Sequence, residues 1–120
     1  MRPVLNPGTV VFSSVPHGTA VAGLEPIATL RETEGLSLVL EEAVARAAGL
    51  PVLLRAAWIT LSVNSALEAI GLTAAVATAL ADAGISCNVV AGALHDHLFV
   101  PVERATEAVA VLDGLAREAG

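Results

Sequence analysis

The stretch between residues 58 and 102 constrains the fold more than any other part of the chain. A run rich in β-formers at 56–63 leads into the polar turn Asn64, Ser65, Ala66. A helix of small apolar residues follows and stops at Gly84. Two more strand-like runs, 85–91 and 97–102, are joined by a short turn at 92–96. Apolar periodicity and turn residues assign these as strand, helix, strand, strand. A closing helix is expected over 103–117, with Ala105, Ala108, Val109, Leu112 and Ala116 as its buried stripe. The order is half of a βαββαβ unit. Its polar residues gather at the turns, which suits a module gripping a small molecule at its loops better than a catalyst with buried reactive groups.

The first half reads as a second, shorter set of elements. Turns are expected at Asn6-Pro7-Gly8 and Pro16-His17-Gly18, and strands at 9–15, 20–24, 27–32 and 36–40. The tip Thr33-Glu34-Gly35 has the length and the glycine of a tight hairpin. A short helix at 41–48 carries acidic residues in its first turn, where they oppose the helix dipole, and Gly49 ends it. The second half lacks a final strand, so its sheet should be completed by residues of the first half or by a second copy. The domain boundaries expected are 1–54 and 55–120.

The main helix is apolar over most of its circumference. Leu67, Ile70, Ala74, Ala77 and Ala81 share one face, and Leu72, Val76 and Leu80 share another. Such a helix needs cover on two sides, one from the sheet and one from a neighbouring helix or subunit. Hydrophobic residues make up 55% of the 120 residues, so a folded core is assured. The surplus of apolar surface for so small a chain points to a homodimer.

Composition excludes several partners. The net charge of -6 argues against nucleic acid and anionic membranes. With one Trp, two Phe and no Tyr, stacking platforms for bases or sugars are not expected. A single cysteine, Cys87, allows no internal disulfide and fits a reducing, cytoplasmic location. The uncharged run 69–81, bounded by Glu68 and Asp82, is shorter than the roughly 20 apolar residues a membrane span needs. The N-terminal residues do not read as a signal peptide.

Three phrases in order resemble a known family. They are 30–40 (LRETEGLSLVL), 65–76 (SALEAIGLTAAV) and 95–101 (HDHLFVP). With Gly71-Leu72 opening the helix and the run Ala83-Gly84-Ile85-Ser86-Cys87-Asn88 after it, the chain resembles small bacterial ACT domain-containing proteins built from two ACT-like halves. The resemblance implies an α+β, ferredoxin-like fold with antiparallel sheets and helices on one face. It also implies a non-enzymatic regulatory or sensory protein whose ligand is a small molecule, an amino acid above all. Two departures touch the ligand region: Asn64-Ser65-Ala66 stands where the family has a histidine and two serines, and Ala93-Leu94 stands where aromatic residues are frequent.

The candidate ligand-binding residues follow from this. The start of the long helix offers unpaired N–H groups to a carboxylate. Asn64 and Ser65 add side-chain hydrogen bonds, Glu68 receives an amino group, and Gly71 with Leu72 allows close approach. The competing reading of Asn64 and Ser65 is plain helix capping. Asn88 is an amide in an otherwise apolar strand and, if buried, must find a partner. Arg31 can hold a carboxylate in bidentate fashion, with Glu32 beside it; the solvated hairpin tip is the favoured reading of that pair.

No catalytic residue and no cofactor are expected. His95-Asp96-His97 is the one metal-like cluster, but two histidines fall short of the three or four ligands a tight site needs. Asp96 is expected to fix the turn while the histidines bond the backbone. Two alternatives stay open: a ligand-free oligomerisation or partner-binding module, and a metal-dependent hydrolase at 95–97.

Overall fold

The structure is a computed structural model that describes residues 2–62 and 72–119. In chain order the described elements are β1 (Pro3–Leu5), β2 (Val10–Val15), β3 (Ala28–Arg31), β4 (Leu36–Glu41), α1 (Glu42–Ala47), β5 (Leu54–Leu61), α2 (Leu72–Asp82), β6 (Asn88–Ala91), β7 (Asp96–Pro101) and α3 (Ala105–Ala119). Single 3-10 turns occur at Ala22–Leu24 and Val102–Arg104. The chain divides into two compact units: Gly8–Ala56, and Met1–Pro7 together with Ala57–Gly120.

In the unit Gly8–Ala56, β4 lies between β3 and β2, antiparallel to both. The first residues of β5 pair antiparallel with β2, Val10 facing Ala56 and Phe12 facing Leu54. Alternation along the strands sends Val11, Val15, Leu38 and Leu40 to one side, where Ala45 of α1 meets them. Ser13 shares that buried face, and its Oγ has no hydrogen-bond partner among the described residues. The expected strand at 20–24 is instead a 3-10 turn. Gly23 and Pro26 break so short a run, Glu25 adopts the left-handed region at φ 49°, and Val21 and Leu24 pack onto the core from the turn.

Among the described residues, the strands of the second unit lie in the order β1-β5-β7-β6. β1 pairs antiparallel with β5, Pro3 facing Leu61 and Leu5 facing Ile59. This unforeseen N-terminal strand is the completing strand that the second half lacked. β6 and β7 form an antiparallel hairpin, Asn88 facing Phe99 and Ala91 facing Asp96. Ala57, Ile59, Leu61, Leu98 and Val100 point to one side and are covered by Val76 and Leu80 of α2 and Ala108 and Leu112 of α3. Of the two faces read from the α2 sequence, the larger side chains Leu72, Val76 and Leu80 meet this core. Ala74, Ala77 and Ala81 are exposed; bare alanines have less apolar area to bury.

Glycine stops both helices as expected. Gly49 and Gly84 take the left-handed conformation, at φ 70° and 72°. The next residue then bonds back to the helix, Leu50 N–H to the Ala45 carbonyl and Ile85 N–H to the Leu80 carbonyl, each at 2.9 Å. This turn consumes the residues just after α2, so β6 begins at Asn88 rather than at 85. The Arg104 guanidinium donates to the Ala83 and Gly84 carbonyls at 3.2 Å, tying the end of α2 to the start of α3.

Two predictions follow from the unit Gly8–Ala56. Ser13→Ala removes a buried hydroxyl that lacks a partner among the described residues and is expected to raise stability by about 1 kcal/mol in a urea titration. Glu42 accepts hydrogen bonds from Arg55 and Arg46, and these two, Arg55 foremost, lower its pKa from 4.5 to about 2. A carboxylate depressed in the folded state stabilises above its unfolded value and ceases to do so as pH falls through the folded one. Glu42→Gln is therefore expected to be less stable than wild type at pH 7, with the gap closing between pH 4.5 and about 2.

Candidate functional site

Four of the residues assigned to the ligand from sequence, Asn64, Ser65, Glu68 and Gly71, lie outside the described residues, as do Leu67 and Ile70. Leu72 opens the described part of α2, is half-buried and packs against the core beneath the sheet. Asn88 begins β6, the outer strand of its sheet, and is exposed. The expectation of a buried amide is corrected: Val89 takes the inward position, so alternation places Asn88 and Val90 on the opposite face, at the rim of the sheet. Leu72 and Asn88 thus lie on opposite sides of one sheet.

Arg31 and Glu32 belong to the other unit, at the hairpin between β3 and β4. The Glu32 N–H donates to the Gly35 carbonyl at 2.8 Å and closes the turn. The Ser37 hydroxyl donates to Oε1 of Glu32, so that carboxylate is held within the hairpin. Arg31 is exposed and enters no ion pair among the described residues. His17 Nε2, 3.1 Å from the Thr33 carbonyl, joins the turn after β2 to the same tip. Gly35 is required there, since a Cβ would stand 2.6 Å from the Val15 carbonyl oxygen.

The turn before β7 holds the histidine cluster. The Gly92 N–H donates to the His95 carbonyl at 2.9 Å, and a Cβ on Gly92 would lie 2.9 Å from that oxygen. Asp96 is buried. The expectation that the histidines bond the backbone fails for His97, whose Nδ1 accepts the indole N–H of Trp58 at 3.0 Å and lies 3.2 Å from the Thr60 hydroxyl. Asn6, just past β1, donates its side-chain amide to Thr60 Oγ1 at 2.9 Å and to the Trp58 carbonyl at 3.1 Å. Its backbone N–H reaches the same carbonyl at 2.9 Å.

Asn6, Trp58, Thr60 and His97 therefore form one half-buried polar group on the sheet of the second unit. Reading along the sequence missed it. The signal was the two-residue spacing of Trp58 and Thr60 in β5, which sends both to the side away from Ile59; pairing that side with His97 needs the strand order. Burial pushes the His97 imidazole below its usual range, the neighbouring His95 adds to this, and Asp96 opposes it. Burial likewise pushes the Cys87 thiol up, as for a small core residue rather than a nucleophile. Among the described residues, no group of three or more His, Cys, Asp or Glu side chains is placed to hold one metal ion.

Two family models, each of the ACT domain, match the chain, one over residues 1–57 and the other over 54–113. The chain belongs to the ACT domain family. A crystal structure from Vibrio cholerae, of a protein of unknown function described as a possible transport protein, is 53% identical; the match covers 92% of this chain and 85% of that one, with a TM-score of 0.86. A structure from Agrobacterium tumefaciens is 17% identical over 94% of this chain and 87% of that one, with a TM-score of 0.75. The regulatory subunit of aspartate kinase from Thermus flavus is 11% identical over 95% and 96%, with a TM-score of 0.66. At such low identity the last two share the fold, which is the α+β, ferredoxin-like ACT arrangement. Comparison with curated proteins gives no match. No described helix is long and apolar enough to cross a membrane.

For the ACT chain the hairpin geometry makes a direct prediction. Gly35→Ala forces the β3–β4 tip away from the Val15 carbonyl, a backbone atom that cannot swing aside. It is expected to lower the melting temperature and to shift the amide signals of Glu32 and Ser37 in an NMR spectrum.

Proposed function

We propose that this protein is a non-enzymatic ACT-type regulator that binds a small molecule, an amino acid in the first place, and changes its assembly or its contacts in response. The observation that carries the reading is the pair of ACT domain matches, which together span residues 1–113. The shared fold with an aspartate kinase regulatory subunit supports it. The two halves proposed are 1–54 and 55–120, within a cytoplasmic homodimer. The side chains of Leu30, Leu53 and Leu94, each more than 60% exposed, support a contact between copies.

The residues assigned to the ligand are Asn64, Ser65, Glu68, Gly71 and Leu72 around the start of the long helix, with Asn88, Arg31 and Glu32. The chemistry is that of an amino acid: N–H groups and an arginine for the carboxylate, and an acid for the amino group. A ligand that prefers one arrangement of the protein shifts the population toward it, and that shift is the signal.

The test is a thermal-shift screen of the common amino acids on protein freed of ligand by unfolding and refolding. A ligand at 100 times its Kd stabilises by about 2.7 kcal/mol, a rise of several degrees for a chain of this size. Arg31→Ala and Glu68→Gln should each weaken the shift. A folded, ligand-free sample that responds to none of them rules the amino-acid reading out and leaves an assembly module.

A further inference from the structure

The indole N–H of tryptophan donates hydrogen bonds and accepts none. Trp58 Nε1 faces His97 Nδ1 at 3.0 Å, so that ring nitrogen carries a lone pair and the proton of the neutral ring sits on Nε2. The Thr60 hydroxyl, 3.2 Å from the same Nδ1, already receives the Asn6 amide and has its own proton to give. Two donors thus converge on one acceptor nitrogen. A proton added to Nδ1 would set N–H against N–H at the indole, and the Trp58 bond has no protonated form.

We propose that His97 is a proton-operated latch between β5 and β7: neutral, it ties Trp58 and Thr60 to β7, and protonated, it releases the indole and loosens that face of the sheet. Gly92 borders the far edge of the ring, where a Cβ would lie 3.4 Å from His97 Cδ2 and Nε2. The indole and imidazole rings are 5.8 Å apart between centroids. Among the described residues, few charges bear on the group. His95 stands edge-on at 6.5 Å between ring centroids, and Asp96 precedes His97 in β7. β1, β6 and residues 57–61 of β5 contain no ionisable side chain. The Cys87 thiol, just before β6, packs against the core on the opposite side.

The direction of the pH response follows. Burial first, then His95, hold the folded imidazole below the 6.5 of a free histidine, against the pull of Asp96. The unfolded chain therefore takes up the proton first on acidification. The latch stabilises fully above pH 6.5 and is lost as pH falls through the lower folded value.

The chain has one tryptophan, so its fluorescence reads the latch directly. Wild-type emission is expected to change in a single step with a midpoint below pH 6.5. His97→Gln keeps an acceptor for the indole without a titrating group and should abolish the step. In Trp58→Phe, the His97 ring signals followed by NMR should titrate at higher pH than in wild type, because a donor favouring the neutral ring is gone. A step that survives His97→Gln overturns the latch. So does flat emission while the His97 ring titrates, or a ring midpoint that Trp58→Phe leaves unmoved. Should His97→Gln fail to fold, the NMR comparison of wild type with Trp58→Phe decides alone.

Discussion

The inward row Ala57, Ile59 and Leu61 of β5, sharing one core with Leu98 and Val100 of β7, is the constraint on which the second unit depends. These side chains are buried together against α2 and α3. Because successive residues of a strand point to opposite faces, committing this row to the core leaves Trp58, Thr60 and His97 no choice but the other face. A slip of one residue in β5 would bury Trp58 and Thr60 and expose Ile59, so the register is strongly held. The polar group of Asn6, Trp58, Thr60 and His97 is thus a consequence of the aliphatic core behind it.

Hydrogen-bond supply then separates the two units. On the sheet of the second unit, Asn6 satisfies Thr60, and Thr60 and Trp58 satisfy His97. A half-buried polar group is tolerated where every donor finds an acceptor. In the unit Gly8–Ala56 the polar intruder is Ser13, set in an aliphatic core without a hydrogen-bond partner among the described residues. The first arrangement links strands and answers to protons; the second only costs stability.

The ACT architecture also explains how so short a chain can carry two units. β1 belongs in sequence to the first half yet pairs with β5 beside Ile59 and Leu61. The two helices that cover the aliphatic row, α2 and α3, are also linked through Arg104, which precedes α3 and reaches the last carbonyls after α2. The glycines that follow α1 and α2 take the left-handed conformation, which ends each helix and lets the chain turn toward the next strand.

Much of this was written in local residue order. The hairpin tip at Gly35, the helix stops at Gly49 and Gly84, the strands around Phe12, Leu38 and Ile59, and the buried stripe of α3 all rest on periodicity or on backbone conformations that few residues allow. The family resemblance at residues 30–40, 65–76 and 95–101 was legible for the same reason. Three features came only with the tertiary structure. β1 is too short for its own signal and exists because β5 offers it an edge. Asn88 is exposed because its strand lies at the rim of the sheet. The Trp58–His97 bond joins residues 39 apart in the chain, and no local pattern encodes which strand will lie beside which. Local sequence decides backbone conformation and the side of a strand on which each residue falls; neighbours across strands are decided by burying the aliphatic row, a property of the whole fold.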